Sequence, residues 1–280
     1  MVYCISTGHG CNNNCVMCVV RRDDNKVFEK ICTEDIFRQI DRMPEDEKEI
    51  VLTDGEPTIR DDIFDIIGYI RKHRPDASIT IVTNGRMFYY SGFSDRMASS
   101  GNVRIITEIH DGSREMHDRI TGCEGSFEQT VAGIKNLLRH GMDVEIRVLM
   151  HKMNYRNLEA TAKFVRNHFS GVSRVVFFPI DLVGNARKNI ESLAISLEEI
   201  MPHLEKAIDI LKNDFDVKIY HIPYCKIQKG YRDFVYGKTV EDARLFFAGD
   251  CESCSFYRSC PGLWKTYAKH VDSAVGLIGG

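Results

Sequence analysis

Six short β-branched stretches alternate with amphipathic segments over the first two thirds of the chain, and this alternation constrains the fold more than any other feature. The segment DDIFDIIGYIRKH, for example, places Ile63, Ile66 and Ile70 on one face at helical spacing. Strands separated by helices run parallel and are joined by right-handed crossovers. The sequence therefore predicts an α/β fold on a parallel sheet, either open or closed into a barrel. The predicted strands are VYCIST, EIVLT, SITIVT, VRIITEI, VEIRVLM and RVVFFPI.

Composition and charge exclude several classes of protein. The formal net charge of -3 gives no reason to expect a nucleic-acid partner. No apolar run approaches the roughly 18 residues of a membrane span, and the first residues lack the layout of a signal peptide. We therefore expect a cytoplasmic protein with no membrane partner, in a compartment where thiols stay reduced. The ten cysteines are then better explained as metal ligands than as disulfides.

Three of these cysteines fall on one short loop directly after the first predicted strand. Cys11, Cys15 and Cys18 have the spacing C-x3-C-x2-C within GCNNNCVMCVV. The loop begins at a C-terminal strand end, where ligands of parallel α/β folds gather. Three thiolates this close favour an iron–sulfur cluster. A structural zinc site would need a fourth ligand, for which His9 is nearest, and three unrelated thiols are the remaining alternative.

A C-x3-C-x2-C loop after the first strand resembles the signature of the radical S-adenosylmethionine (radical SAM) superfamily. The resemblance implies that these cysteines bind a 4Fe-4S cluster with one iron left open. S-adenosylmethionine (SAM) chelates that iron, and one electron cleaves it to methionine and a 5′-deoxyadenosyl radical, which takes a hydrogen atom from the substrate. We accordingly expect a partial (β/α)6 barrel of TIM type over residues 1–189. Residues 190–280 would form a small irregular C-terminal iron–sulfur region.

Further segments match the family in order and in position at strand ends, over residues 1 to about 185. Gly55-Glu56-Pro57 resembles the G-E-P segment that meets the methionine amino group, and VTNG resembles a turn common after the third strand. The stretch TEIHDGSREMHDRITGCEGSFEQTVAGI is similar to the passage from the fourth strand into the next helix. The resemblance implies the following cofactor-binding residues: Gly55, Glu56, Pro57, Thr83, Asn84, Glu108, Arg147 and Met17.

Three of these assignments have specific reasons. Arg147 lies in the fifth strand, where similar enzymes hold the SAM carboxylate with a basic residue; its alternative is an outward-facing strand charge. Glu108 ends the fourth strand and could accept hydrogen bonds from the ribose hydroxyls. Met17 stands where the family prefers an aromatic side chain, and this departure puts the adenine contact in doubt, although a thioether can also lie against a ring.

Two further residues are candidates for catalysis. Asp181 follows the sixth predicted strand, where it would face the cavity as a base or substrate ligand, or else be a solvated loop carboxylate. Cys123 lies in the glycine-flanked loop TGCEGS and is a candidate for proximity to the substrate, with a structural role as the alternative.

A second cysteine group near the C-terminus has the spacing C-x2-C-x5-C in DCESCSFYRSCPG, with one more cysteine upstream in HIPYCKIQ. It resembles the C-terminal region of the SPASM and twitch subfamilies, which carry auxiliary clusters. Four candidate ligands imply one auxiliary 4Fe-4S cluster, and Pro261-Gly262 departs from the usual C-x-G-G-C ending. A structural zinc site is the alternative, since four thiolates also satisfy zinc. The predicted ligands are Cys225, Cys251, Cys254 and Cys260.

The resemblance thus predicts a radical SAM enzyme whose auxiliary cluster aids oxidation or C–S or C–C bond formation. SPASM and twitch relatives favour a peptide or protein substrate; a small molecule such as a sugar or cofactor precursor is the alternative. An electron donor such as flavodoxin or ferredoxin is an expected partner. Only ten residues precede Cys11, so we expect no N-terminal peptide-recognition domain; a separate peptide-recognition protein, a short substrate or a small molecule would each fit this. A non-catalytic iron–sulfur electron carrier or redox sensor is the alternative from a different class.

Overall fold

The computed structural model describes residues 3–19 and 31–271 of the chain, and its largest element is one sheet of seven parallel strands. The strands follow one another across the sheet in chain order, so that each pairs with the strand before it. They are β1 (Tyr3–Ser6), β2 (Glu49–Thr53), β3 (Ser78–Val82), β4 (Val103–Glu108), β5 (Asp143–Met150), β6 (Arg174–Pro179) and β7 (Asp216–Ile219).

Helices connect the strands and cover one face of the sheet. Because every crossover between parallel neighbours contains a helix, the order of the strands produces a curved sheet with β1 and β7 at its edges within the described residues. The helices are α1 (Thr33–Asp41), α2 (Ile63–His73), α3 (Ser91–Ala98), α4 (Arg114–Thr121), α5 (Ser126–Arg139), α6 (Leu158–His168), α7 (Gly184–Lys188), α8 (Ile190–Leu193), α9 (Leu197–Leu211) and α10 (Lys265–His270).

The predicted partial barrel of parallel strands is confirmed, and the sheet is open. It contains seven strands, one more than the six of the predicted partial barrel, because a strand that the sequence predicts for the C-terminal region joins the same sheet. The segment VKIYHI, which lies in the predicted C-terminal region 190–280, pairs with β6 through contacts such as Val175 with Val217. The division of the chain at residue 189 stays a prediction.

Side chains alternate between the two faces of each strand, and this alternation explains both the core and the site. On β5, Val144, Ile146 and Val148 are fully buried against the helices, as the period of two requires. Burying each such side chain contributes roughly 1.5–3 kcal/mol. Glu145 and Arg147 point to the opposite face, into the barrel interior. The apolar positions thus hold the helices, and the positions between them are left for polar and binding groups.

The C-terminal region packs against the end of β6. Beyond β7, its α-helix is α10, and its strands are a short antiparallel pair, β8 (Leu245–Phe246) and β9 (Leu263–Trp264). The indole N–H of Trp264 donates to the carbonyl oxygen of Pro179 at 3.0 Å, which joins this pair to the barrel. Among the helices of the described ranges, none has the length and apolarity that a bilayer crossing requires.

Candidate active site

A cavity of about 210 Å³ opens at the C-terminal ends of β1 to β5. The C-terminal ends of parallel strands all lie at the same end of the barrel, so residues far apart in sequence meet there. Most of the predicted site residues line this cavity: Cys11, Cys15, Met17, Cys18, Gly55, Glu56, Thr83, Asn84 and Glu108. The structure therefore brings the three cysteines together with the turns after β2, β3 and β4.

The turn after β2 holds the cysteine loop from one side. The backbone N–H of Glu56 donates to the carbonyl oxygen of Gly10 at 2.7 Å. Gly55 has a φ of +52°, and a Cβ there would lie 2.3 Å from the same oxygen. Only glycine fits this backbone conformation and this close approach without strain. The glycine of the G-E-P segment is thus required by the contact between two chain segments.

The C-terminal end of α4 holds the loop from a second side. Two backbone hydrogen bonds run from the loop to this end: from Asn14 N–H to Thr121 O at 2.8 Å, and from Val16 N–H to Ile120 O at 2.9 Å. Gly122 follows, and a Cβ at that position would lie 2.5 Å from the Asn14 oxygen. These contacts use backbone groups on both sides and therefore fix the path of the loop between Cys11 and Cys18.

A third side is formed by α7, which follows β6. The backbone N–H of Asn185 donates to the carbonyl oxygen of Cys18 at 2.9 Å, and the Asn189 amide donates to the oxygen of Val16 at 2.9 Å. Gly184 has a φ of +57°, and a Cβ there would lie 2.3 Å from the Val19 oxygen. Sequence reasoning missed this support. The glycine and asparagines of VGNARKN, a helix-capping pattern, were the only signal.

Glu56 links the ends of β2 and β3 through its side chain. The carboxylate is almost fully buried and accepts hydrogen bonds from Thr58 N–H at 2.9 Å, Thr83 Oγ1 at 2.6 Å and Asn84 N–H at 2.6 Å. Burial raises the pKa of this carboxyl, and the donated hydrogen bonds partly oppose the rise. The side chain therefore has a structural role in addition to the cofactor contact predicted from sequence.

The turn after β3 reaches the sulfur of one of the cysteines. The Asn84 amide donates to Asn12 Oδ1 at 2.6 Å and contacts Cys11 Sγ at 3.8 Å. The backbone N–H of Asn13 also points to Cys11 Sγ, at 3.4 Å. N–H groups directed at a sulfur stabilise its thiolate form, which is the form that binds a metal.

Glu108 and Arg147 are register partners on β4 and β5 with different surroundings. Glu108 lines the cavity, and burial raises the pKa of its carboxyl to about 8, an effect that the Arg147 cation opposes and Glu56 reinforces. Arg147 does not line the cavity. Its Nε donates to Glu145 Oε1 at 2.7 Å, and its guanidinium lies over the ring of Tyr220.

His110 also lines the cavity, two residues beyond Glu108 on the same face of the chain. It is 5% exposed, and its Nδ1 has no hydrogen-bond partner in the described part of the chain. Burial, reinforced by His117 and His151, holds the pKa of this imidazole well below its usual range. His110 is not among the site residues predicted from the sequence, although its spacing of two residues from Glu108 is a usable signal.

Besides Arg147, three further residues of the predicted SAM and catalytic sites lie outside the cavity lining. Pro57 is buried and begins the 3-10 helix Pro57–Ile59. Asp181 is buried against the C-terminal region, where it accepts hydrogen bonds from Arg244 Nη2 at 2.9 Å and from Thr266 Oγ1. Cys123 accepts a hydrogen bond from Arg86 Nη1 at 3.2 Å. The catalytic roles of Asp181 and Cys123 stay predictions.

The second cysteine group lines a separate small cavity of about 20 Å³. Burial raises the pKa of the Cys251 thiol, and Asp250 and the thiolate charges of Cys260 and Cys254 raise it further, which reflects their proximity. Within residues 3–19 and 31–271, no three His, Cys, Asp or Glu side chains are grouped so as to hold a single metal ion. The cavity is lined by Cys225, Cys251, Cys254 and Cys260 together with Pro223, Tyr224, Phe247, Phe256, Tyr257 and Gly262.

Comparisons with known proteins agree with this geometry. Residues 5–165 match the family model of the Radical SAM superfamily. The AdoMet-dependent heme synthase of Methanosarcina barkeri is 29% identical over 172 residues, which cover 60% of this chain and 48% of that protein. A probable GTP 3',8-cyclase of Saccharolobus islandicus is 27% identical over 262 residues, which cover 90% of this chain and 82% of the cyclase. The chain thus spans about half the length of the first of these relatives.

The fold is also similar to that of a protein whose structure was solved with a bound peptide. Streptococcus suis SuiB, crystallised with its precursor peptide SuiA, aligns with a TM-score of 0.63 at 16% identity. The alignment covers 82% of this chain and 53% of SuiB. At this identity the similarity concerns the fold.

Proposed function

The chain belongs to the radical SAM superfamily, and from this membership we propose that it cleaves S-adenosylmethionine reductively to begin a radical reaction on a substrate C–H bond. One observation carries the proposal: Cys11, Cys15 and Cys18 line the same cavity as the turns after β2, β3 and β4. Three thiol donors with no fourth cysteine in that lining suit a 4Fe-4S cluster with one open iron.

In this proposal, different residues of the cavity bind the cluster and the separate parts of SAM. Cys11, Cys15 and Cys18 would hold the cluster, which when bound supplies the electron that splits SAM into methionine and a 5′-deoxyadenosyl radical. The backbone of Gly55 and Glu56 would face the methionine amino group. Further residues of the SAM site would be Pro57, Thr83 and Asn84.

The remaining contacts would come from β4, β5 and the cysteine loop. Glu108 would accept hydrogen bonds from the ribose hydroxyls, because its carboxyl faces the cavity without a hydrogen-bond partner in the described residues. Arg147 pairs with Glu108 across β4 and β5 and, among the described residues, hydrogen-bonds Glu145 through Nε alone, which would leave its Nη groups available to the SAM carboxylate. Met17, 3% exposed and in the lining, would pack on the adenine.

The proposal extends to residues 190–280 as a SPASM- or twitch-like region. Cys225, Cys251, Cys254 and Cys260 would bind a second 4Fe-4S cluster, and their convergence on one cavity walled by aromatic rings supports this. Aromatic rings around the sulfurs would limit the access of water, which influences the reduction potential. The cluster would accept an electron from the product radical and so aid oxidation or C–S or C–C bond formation. A zinc site is the alternative.

We propose a peptide or protein as the substrate. The similarity of the fold to SuiB, which was crystallised with a precursor peptide, supports this choice. A small molecule is the second candidate, and the match to a probable GTP 3',8-cyclase over 82% of its length favours it. In either case flavodoxin or ferredoxin would donate the electron. We also propose a cytoplasmic location, where ten cysteines stay reduced and available as ligands.

The proposal is tested by incubating the anaerobically reconstituted protein with dithionite and SAM and measuring 5′-deoxyadenosine. We expect deoxyadenosine from the wild type and none from the variant Cys15→Ala. Its absence from a wild type with an intact cluster would contradict the proposal and favour an electron carrier or redox sensor. Adding candidate peptides or GTP in turn, and measuring whether deoxyadenosine formation rises, would then separate the two substrate classes.

A further inference from the structure

We propose that Arg86 supplies the positive counter-charge of the cluster at Cys11, Cys15 and Cys18 and thereby raises its reduction potential. The inference rests on the proposed function, because it requires that these three cysteines bind the cluster. It concerns a residue to which neither the motifs nor the comparisons assign a role.

The backbone after β3 directs Arg86 at the cysteine loop. Gly85 has a φ of +78°, and a Cβ there would lie 2.7 Å from Thr107 Oγ1, so the chain turns sharply at this point. Arg86 follows as the first residue of the 3-10 helix Arg86–Tyr89. Its Nη1 donates to the carbonyl oxygen of Asn12 and to Asn13 Oδ1 at 2.7 Å, both within the loop.

The remaining contacts of Arg86 come from the α4–α5 side. Nη1 also approaches Cys123 Sγ at 3.2 Å, and Nε donates to Gln129 Oε1 at 2.7 Å. The guanidinium thus joins three segments: the cysteine loop, the turn after β3 and the start of α5. Five donors in one plane suit such a position better than a flexible ammonium group.

Every acceptor around Arg86 is formally neutral: a backbone carbonyl, two side-chain amides and a thiol. In the described part of the chain, no carboxylate lies within ion-pair distance of its guanidinium. Neutral acceptors do not compensate the positive charge of a half-buried guanidinium, which therefore remains able to interact with an anion bound nearby. Three cysteine thiolates around an iron–sulfur cluster provide that negative charge at the loop which Arg86 contacts.

The same charge affects electron uptake. Reduction adds one negative charge to the cluster, and a nearby cation attracts the reduced form more strongly than the oxidised form. Reduction potentials of iron–sulfur clusters depend on net charge and on hydrogen bonding around the sulfurs. Arg86 therefore favours the reduced cluster, which is the form that donates the electron to SAM.

The test is an EPR-monitored redox titration of the reconstituted protein without SAM, with iron determined on the same samples. The Gln129→Glu substitution places a carboxylate beside Nε of Arg86, so that the guanidinium gains an ion-pair partner within the protein. The hydrogen bonds from Nη1 of Arg86 to the cysteine loop are kept. Arg86→Gln removes the charge, and Arg86→Lys keeps it. Arg71→Gln is the matched control, because Arg71 is also bonded only to carbonyl oxygens, those of Ala77, Ser100 and Asn102. These lie near the N-terminal ends of β3 and β4, away from the cysteine loop.

We expect Gln129→Glu and Arg86→Gln to lower the ratio of reduced to oxidised cluster at a fixed potential about tenfold, equivalent to a shift of about -59 mV for one electron. Arg86→Lys and Arg71→Gln should titrate like the wild type. If the Arg86→Gln variant does not bind iron, the reduction potential of the Gln129→Glu variant tests the inference by itself. A wild-type potential in Gln129→Glu, or an equal shift in the lysine and glutamine variants, would overturn the inference.

These outcomes are separable from those of the proposed function. Deoxyadenosine formation by the wild type together with unshifted potentials would reject only the role of Arg86. Shifted potentials without deoxyadenosine would reject only SAM cleavage. A wild type that holds no iron at the three cysteines would reject both.

Discussion

The backbone N–H of Glu56 donates to the carbonyl oxygen of Gly10 at 2.7 Å, and this hydrogen bond joins the end of β2 to the loop that carries Cys11. The contact explains why the G-E-P segment and the cysteine loop occur together in this chain. The cysteines cannot take their positions unless the turn after β2 leaves room for the loop.

Gly55→Ala should disrupt this arrangement. A Cβ at Gly55 would lie 2.3 Å from the Gly10 oxygen at a φ of +52°, so either the turn or the loop must move. We expect a destabilisation of about 1–3 kcal/mol and a loss of most of the iron bound by Cys11, Cys15 and Cys18. Thermal denaturation and iron analysis measure the two effects.

The control for this substitution is Gly68→Ala in α2, where a Cβ would meet no atom within 4 Å. That variant should keep its iron and gain roughly 0.5–1 kcal/mol, because alanine is the better helix former. Equal iron contents in the two variants would show that the close approach at Gly55 is unimportant.

Glu108 should make the stability of the SAM-free protein depend on pH. Its folded pKa of about 8 lies above the ordinary value of 4.5, so the folded state binds the proton more tightly. This tighter proton binding stabilises the folded state. The stabilisation is complete below pH 4.5 and is lost as the pH rises to 8. Relative to Glu108→Gln, the wild type should lose up to about 1.4 kcal/mol per pH unit in this window.

Denaturation midpoints of both proteins at several pH values between 5 and 8 would measure this difference. The half-exposed Glu159 serves as the control position, because Lys163 lowers the pKa of its carboxyl. Glu159→Gln should show no such loss toward pH 8. A difference between wild type and Glu108→Gln that stays constant with pH would contradict the account of Glu108.

Asp181→Asn should loosen the C-terminal region from the barrel. The substitution removes the charge that pairs with Arg244 and weakens the acceptor for Thr266. Since Arg244 is 56% exposed, we expect a cost of only about 1 kcal/mol. Limited proteolysis should nevertheless cut the region after β7 faster than in the wild type. Unchanged proteolysis with a loss of turnover would instead support the catalytic role predicted from sequence.

The double variant Cys251→Ala/Cys254→Ala should separate the two cysteine groups. With two 4Fe-4S clusters the wild type contains about eight irons per chain, and the variant should contain about four. Deoxyadenosine formation should persist, because the first cavity is untouched. A wild type with about four irons and one zinc would show that the second group binds zinc instead.

Much of the fold could be predicted from the sequence because its signals are local. The β-branched stretches and the period of the helices depend on neighbouring residues, and β1 to β6 match the predicted segments to within one residue at each end. The convergence of Cys11, Gly55, Asn84 and Glu108 on one cavity followed from a single rule, since parallel strands end at one edge.

The remaining features depend on contacts between distant segments. The side-chain amide of Asn185 donates to the carbonyl oxygen of Cys15, which lies 170 residues earlier in the chain. Nothing local to either segment indicates this contact. The partner of Arg147 is different, because Glu145 lies two residues away on the same strand face and could have been anticipated. VKIYHI carried a strand signal, but its place in the sheet depended on packing against β6.

The central claim is that Cys11, Cys15 and Cys18 hold a cluster whose open iron binds SAM. The most direct measurement is the EPR spectrum of the dithionite-reduced Cys251→Ala/Cys254→Ala variant, in which the first cluster is observed alone, recorded with and without SAM. We predict a reduced 4Fe-4S signal whose g values shift when SAM is added. A signal that SAM leaves unchanged, from a cluster with all four irons bound by protein side chains, would contradict the account.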